Sequence, residues 1–132
     1  MLDVLKNANN YQEAVLQLQT QPIIASCYYI VIGNKDLEGV IIERDRKEPY
    51  KNYYLNEETW YLVATNYDQD KNDKDGRRDY AVNQIQNIGQ DQMDIQKLYQ
   101  DVLKQYPDFH YMTISTSLMN PQNNYFEQFV FI

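Results

Sequence analysis

Cysteine is almost missing from this sequence: Cys27 is the only one in 132 residues. A lone thiol cannot close an internal disulfide or assemble a cysteine-based zinc site. Histidine is equally scarce, and a single residue, His110, rules out a multi-histidine metal centre. Cations are outnumbered, with 12 Lys and Arg against 19 Asp and Glu and a net charge of −7. Nucleic acid and anionic membrane surfaces both select clustered Lys and Arg, so neither is expected as a partner. A long hydrophobic run is also missing. The longest apolar stretch, residues 23–32, is interrupted by Ser26 and is too short to cross a bilayer. The opening MLDVLKNANN has an acid and several amides where a secretory signal would have a basic and then an apolar region. No signal peptide, transmembrane segment or N-x-Ser/Thr sequon is therefore expected.

What is present is enough for one core. A chain of this length buries roughly two-thirds of the surface its unfolded form exposes. The 14 Gln and 13 Asn are spread along the chain and punctuate periodic apolar segments. Residues 11–19 place Ala14, Val15 and Leu18 on one helical face, and Pro22 ends that helix. Residues 25–32 and 38–44 read as strands joined by the turn at Gly33-Asn34-Lys35-Asp36. Residues 50–55 and 60–65 read as two more strands. Helices are expected over 79–88 and 91–105, and strands over 110–118 and 125–132. The order helix, four strands, two helices, two strands predicts an α+β fold, with a mostly antiparallel sheet and helices on one face. The last two strands could join either edge, or the middle, of the first sheet. The final strand ends on Phe129, Val130, Phe131 and Ile132, so it calls for cover.

The densest chemical cluster is Thr65-Asn66-Tyr67-Asp68, followed by an acidic loop and then Gly76-Arg77-Arg78-Asp79. It leads from an apolar segment into a loop, where scaffolds present functional groups. The Asn66 amide could donate to a developing oxyanion, and an arginine could orient a carbonyl or a carboxylate. In the alternative, Asn66 and Asp68 make turn hydrogen bonds, and Arg77 and Arg78 neutralise the nearby aspartates. The loop also has calcium-like spacing at Asp68, Asp70, Asn72 and Asp79. However, Asp73 stands where an EF-hand needs glycine, and no metal is expected. Cys27 lies in an apolar strand pattern and reads as a core thiol, and His110 reads as a rim residue. The run Glu43-Arg44-Asp45-Arg46-Lys47-Glu48 reads as a solvated strand end. Tyr28, Tyr29, Tyr53, Tyr54 and Tyr61 read as amphipathic sheet residues.

Five segments taken together, IIASCYYIVIG, EGVIIERDRKE, WYLVATNYD, GRRDYA and FHYMTISTSLMNPQNNYFE, resemble the C-terminal part of the acid ceramidase and N-acylethanolamine acid amidase family. The resemblance runs from about Tyr11 to Gln128. It implies an N-terminal-nucleophile hydrolase with an αββα sandwich, of which this chain, residues 1–132, would form a single partial domain. The implied function is hydrolysis of the N-acyl bond of ceramide or N-acylethanolamines, in lipid and sphingolipid metabolism, in a lysosomal or secreted setting. No cofactor is implied. The family's oxyanion asparagine falls on Asn66 and its catalytic arginine on Arg77. The shorter loop here leaves Arg78 open for that role, and Tyr67, Asp68 and Arg78 stand as supporting residues. The family's nucleophilic cysteine has no counterpart in this chain, since Cys27 falls where the family has a small apolar residue. The chain alone is therefore expected to be inactive and to need an N-terminal part or a second chain. The other reading is a non-catalytic interaction module derived from the fold.

Overall fold

The structure, a computed structural model, describes residues 2–46 and 50–131. The chain divides into two compact units, Met1–Leu62 and Val63–Ile132. Lys47 and Glu48 of the charge run and Ile132 of the final strand lie outside the described residues.

The first unit begins with α1 (Leu2–Asn7) and α2 (Tyr11–Thr20). The Asn10 side chain caps α2 by accepting from the Glu13 backbone N–H at 2.9 Å, and the Glu13 carboxylate reaches back to the Asn9 N–H at 3.0 Å. These bonds satisfy donors that a helix start leaves orphaned. Gln21 is extended, and Pro22 has no N–H with which to continue the helix. Three strands follow, β1 (Cys27–Ile32), β2 (Gly39–Arg44) and β3 (Lys51–Tyr54), in an antiparallel sheet with β2 in the centre. Its register sets Ile42 opposite Tyr29 on one side and Asn52 on the other. Every residue of β2 is buried, while β1 alternates between half-buried and exposed positions. Val40 and Ile42 join Val4, Val15 and Leu18 in one apolar cluster, with Tyr29 and Val31 packed against it. At the edge of this cluster the buried Arg44 donates to the backbone carbonyls of Leu18 and Gln21, the latter at 2.9 Å. Both carbonyls lie at the C-terminal end of α2, where a helix leaves its acceptors unpaired.

In the second unit, α3 (Arg77–Ile88) is followed by a 3-10 turn (Gln90–Gln92). A short helix, α4 (Ile95–Lys97), then continues as a π-helical stretch (Leu98–Leu103). Strands β4 (Ser115–Asn120) and β5 (Tyr125–Val130) form an antiparallel hairpin closed by a 3-10 turn (Pro121–Asn123). Ala81, Ile85, Tyr99, Val102 and Leu118 are the buried apolar side chains of this unit. The Tyr99 ring stacks on Phe129 of β5 at 4.3 Å, and Phe131 meets Phe109 edge-on at 4.8 Å, so these two aromatics of the apolar end are covered while Val130 stays exposed.

The α+β expectation holds, but four of its elements differ. Residues 60–65 form no strand. Asn56 and Thr59 close a turn by mutual backbone hydrogen bonds at 3.0 and 3.1 Å, and the half-buried residues that follow find no ladder partner among the described residues. A β-prone composition needs a neighbour to become a strand. The last two strands pair with each other in a sheet of their own and do not join the first. The helix expected over 91–105 is split, because the Asp94 side chain starts a new helix by accepting from Lys97 N–H at 2.8 Å. Strand β4 begins at Ser115 and not at His110, since Thr113 turns back to bond His110 through both its N–H and its hydroxyl. One helix, α1, gave no periodic signal in its six residues.

Candidate functional site

Loop and helix start together build the polar cluster of the second unit. Gly76 precedes α3 with φ of +73°, a left-handed conformation that glycine adopts without the Cβ penalty, and a Cβ there would meet nothing within 4 Å. Gly76 has no side chain to cap the helix, and two aspartates do so in its place. Asp75 accepts from the Arg77 N–H at 3.3 Å, and Asp73 accepts from the Arg78 N–H. Carboxylates at this end also suit the positive pole of the helix dipole.

The two adjacent arginines face different tasks. Arg77 is half-buried. Its Nε donates to Asp75 at 2.9 Å, its Nη2 lies 2.7 Å from the same carboxylate, and Nη2 also donates to Asn66 Oδ1 at 3.1 Å. The hydrogen bond from Arg77 holds Asp75 down to about 2, and in turn the Arg77 guanidinium is raised. Because arginine only donates, the Asn66 atom that faces it must be the amide oxygen. The exposed Asn66 is thereby oriented with its Nδ2 hydrogens as the group it can present.

Arg78 is 9% exposed and turns inward. Its Nη1 donates to the carbonyls of Asp68 and Lys71, each at 3.1 Å, and its Nη2 donates to Thr65 Oγ1 at 3.2 Å and to the Tyr67 carbonyl. Its Nε is buried with no hydrogen-bond partner among the described residues. Tyr67 and Asp68 therefore meet Arg78 through their backbones, while the Asp68 carboxylate pairs with Lys71. Gln69 closes the same loop by donating to the Val63 carbonyl at 2.8 Å.

Sequence reasoning missed Asp108. Burial pushes its carboxyl up to about 6; Arg77 opposes that rise, and Asp73 and Asp75 add to it. Its Oδ2 is buried and has no hydrogen-bond partner among the described residues. Tyr80 is raised by burial first and then by the charges of Asp108 and Asp101. The Asp73 and Asp75 caps were open to discovery in the Asp-Lys-Asp-Gly-Arg-Arg pattern, an acid-rich helix start. Asp108 carried no such local signal.

The other candidate side chains belong to other elements. Cys27 is the first residue of β1 and is half-buried rather than a core thiol, because an end position on an edge strand is covered on fewer sides. His110 is tied into a turn, its Nδ1 accepting from the Met112 N–H at 3.1 Å. Among the described residues, no group of three or more His, Cys, Asp or Glu is arranged to hold a metal ion. None of the described helices is long and apolar enough to cross a membrane.

No family model matches the chain. Curated relatives do match it. Acid ceramidase of Homo sapiens is 35% identical over 131 residues, 96% of this chain and 33% of that protein. Acid ceramidase of Mus musculus is 37% identical over 128 residues, 94% of this chain and 32% of that protein. The N-acylethanolamine-hydrolyzing acid amidase of Oryctolagus cuniculus is 37% identical over 120 residues, 88% of this chain and 33% of that protein. The chain thus spans about a third of the length of the curated relatives it matches. A solved structure, the Caenorhabditis elegans N-acylethanolamine-hydrolyzing acid amidase ortholog, superposes with a TM-score of 0.88 at 31% identity, covering 99% of this chain and 59% of that one. The antiparallel sheets and helices of this chain therefore share the N-terminal-nucleophile hydrolase fold class of that amidase. Over the part it spans, the chain belongs to the acid ceramidase and N-acylethanolamine acid amidase family.

Proposed function

We propose that this chain supplies the oxyanion-binding and substrate-orienting part of a lipid amide hydrolase that cleaves the N-acyl bond of ceramide or N-acylethanolamines. The observation that carries this reading is the hydrogen bond from Arg77 to Asn66 Oδ1, at 3.1 Å. It occupies the amide oxygen and leaves the Nδ2 hydrogens as the group the exposed Asn66 side chain can donate. When a nucleophile adds to an amide carbon, the carbonyl electron pair moves onto oxygen. A preset N–H donor stabilises that charge without reorganising. Arg77, its charge paired with Asp75, holds the donor in place, and Tyr67, Asp68 and Arg78 shape the loop. No cofactor enters the scheme.

The nucleophile in this reading is a cysteine on sequence other than these 132 residues, either an N-terminal part or a second chain. Cys27 is not given the role in this reading, since it stands in the chain interior at the head of β1, where the resemblance places a small apolar residue. The cysteine thiolate would add to the amide carbon, the amine would leave with a proton, and water would then release the fatty acid from the thioester. The 132 residues form one portion of a larger amidase domain, working in a lysosomal or secreted setting. The rival reading is a non-catalytic module that keeps the fold without the chemistry.

The test is fatty-acid release from a fluorogenic N-acyl amide by the complete reading frame containing these residues. Asn66→Ala should lower kcat by about a hundredfold, the order expected for one oxyanion donor. An unchanged rate rejects the Asn66 role, and a parent protein without activity in the presence of a nucleophile-bearing part favours the non-catalytic module.

A further inference from the structure

We propose that Arg78 is a positioning residue whose guanidinium brackets Asn66 and fixes the direction of its side chain. The inference rests on the reading of Asn66 as an oxyanion donor, and it adds the group that holds that donor from behind. The two residues flanking Asn66 are both bound by one nitrogen: Arg78 Nη2 donates to Thr65 Oγ1 at 3.2 Å and to the Tyr67 carbonyl. Nη1 extends the grip to the carbonyls of Asp68 and Lys71.

Residues 63–76 contain no helix or strand, so no ladder holds this backbone. Three carbonyl oxygens converge on one cation and would repel one another without it. With Thr65 Oγ1 and the Tyr67 carbonyl both drawn to Arg78, the Asn66 side chain between them is left exposed, and its oxygen accepts from Arg77. Asp73 is engaged by the Arg78 backbone N–H rather than by the guanidinium bonds described here. The planar fork matters as much as the charge. Four acceptors in two pairs match the two ends of a guanidinium, whereas a lysine ammonium offers three donors from a single point.

The experiment uses the 132-residue chain and the complete reading frame in parallel. In the chain, Arg78→Lys should speed hydrogen exchange of the 65–73 amides at least tenfold and lower the heteronuclear NOE of Asn66 Nδ2. Amides of the central turns of α3 and of β4–β5 should be unchanged. In the reading frame, the same variant should lower kcat at least tenfold with little change in KM, so that the conserved charge does not rescue. Thr65→Val removes one acceptor at nearly constant shape and keeps the test open should Arg78→Lys not fold. It should give a smaller effect of the same kind, a few-fold in kcat. Native exchange and a native Asn66 Nδ2 NOE in Arg78→Lys overturn the proposal, as do native exchange and native kcat in Thr65→Val, or native kcat in Arg78→Lys where Asn66→Ala is itself impaired. If Asn66→Ala is fully active while Arg78→Lys still frees the Asn66 side chain, the catalytic reading fails and the positioning inference stands.

Discussion

Each of the two units buries an arginine against backbone carbonyls, and the two differ in what that arginine replaces. Arg44 of the first unit closes the C-terminal end of α2, a helix already formed by its own hydrogen bonds and already anchored by Val15 and Leu18 in the apolar cluster. Arg78 of the second unit holds a loop that has no regular backbone bonding across residues 63–76. The same chemistry therefore completes an element in one unit and substitutes for one in the other. Loss of the first should be read in stability, and loss of the second in local geometry at Asn66.

The largest effect that tests this contrast is in the apolar cluster itself. Ile42 is fully buried, and Ile42→Ala should destabilise the chain by about 4 kcal/mol through lost transfer energy and a residual cavity. Denaturant unfolding measures this, and a loss below about 1 kcal/mol would mean that the site collapses freely. Arg44→Met keeps the packing of the stem but strands the Leu18 and Gln21 carbonyls, and about 3 kcal/mol is expected from two charge-assisted bonds. Should Arg44→Met leave the midpoint unmoved while Arg78→Lys shifts it strongly, the contrast is reversed.

The smallest effect is electrostatic and belongs to Asp108. Its carboxyl titrates near 6 in the folded chain against an ordinary 3.8, so the folded state keeps a proton that the unfolded chain has released. Stability from this group is full below about pH 4, falls as pH rises toward 6, and stays lost above that. Asp75 runs the other way: with its carboxyl held near 2, its contribution is present above about pH 4 and is lost as pH falls through 2. Asp108→Asn should remove the decline between pH 4 and 6 and stabilise the chain at pH 7 by about 1 kcal/mol, after discounting for solvent screening. Thermal melts across that range measure it, and an unchanged slope would mean that Asp108 is not the titrating group.

The same contrast explains what the sequence could reveal. Strands β1 and β2 and helix α2 were legible because burial writes itself as a period: Ala14, Val15 and Leu18 on one helical face, and a continuous apolar run where β2 is covered on both sides. Residues 60–65 carried the composition of a strand yet lacked a neighbour, and pairing is not written in one segment. Asn66 and Arg77 stood out as polar groups at a loop, and the family resemblance assigned them roles. The distinction between Arg77 and Arg78 was not legible. Arg78 bonds mainly to carbonyls, which every residue possesses, so its partners leave no trace in side-chain identity. Asp108 was hidden for a related reason, as its neighbours Arg77, Asp73 and Asp75 come from a distant stretch of chain.

The central claim is that Asn66 and Arg77 act as one unit, with Arg77 working largely through the orientation of the Asn66 amide. A double-mutant cycle on kcat in the complete reading frame tests it most directly. Asn66→Ala should cost about a hundredfold and Arg77→Lys about tenfold or more, and the double variant should fall no further than Asn66→Ala alone to within a few-fold. Independent losses that multiply to about a thousandfold in the double variant would contradict the account.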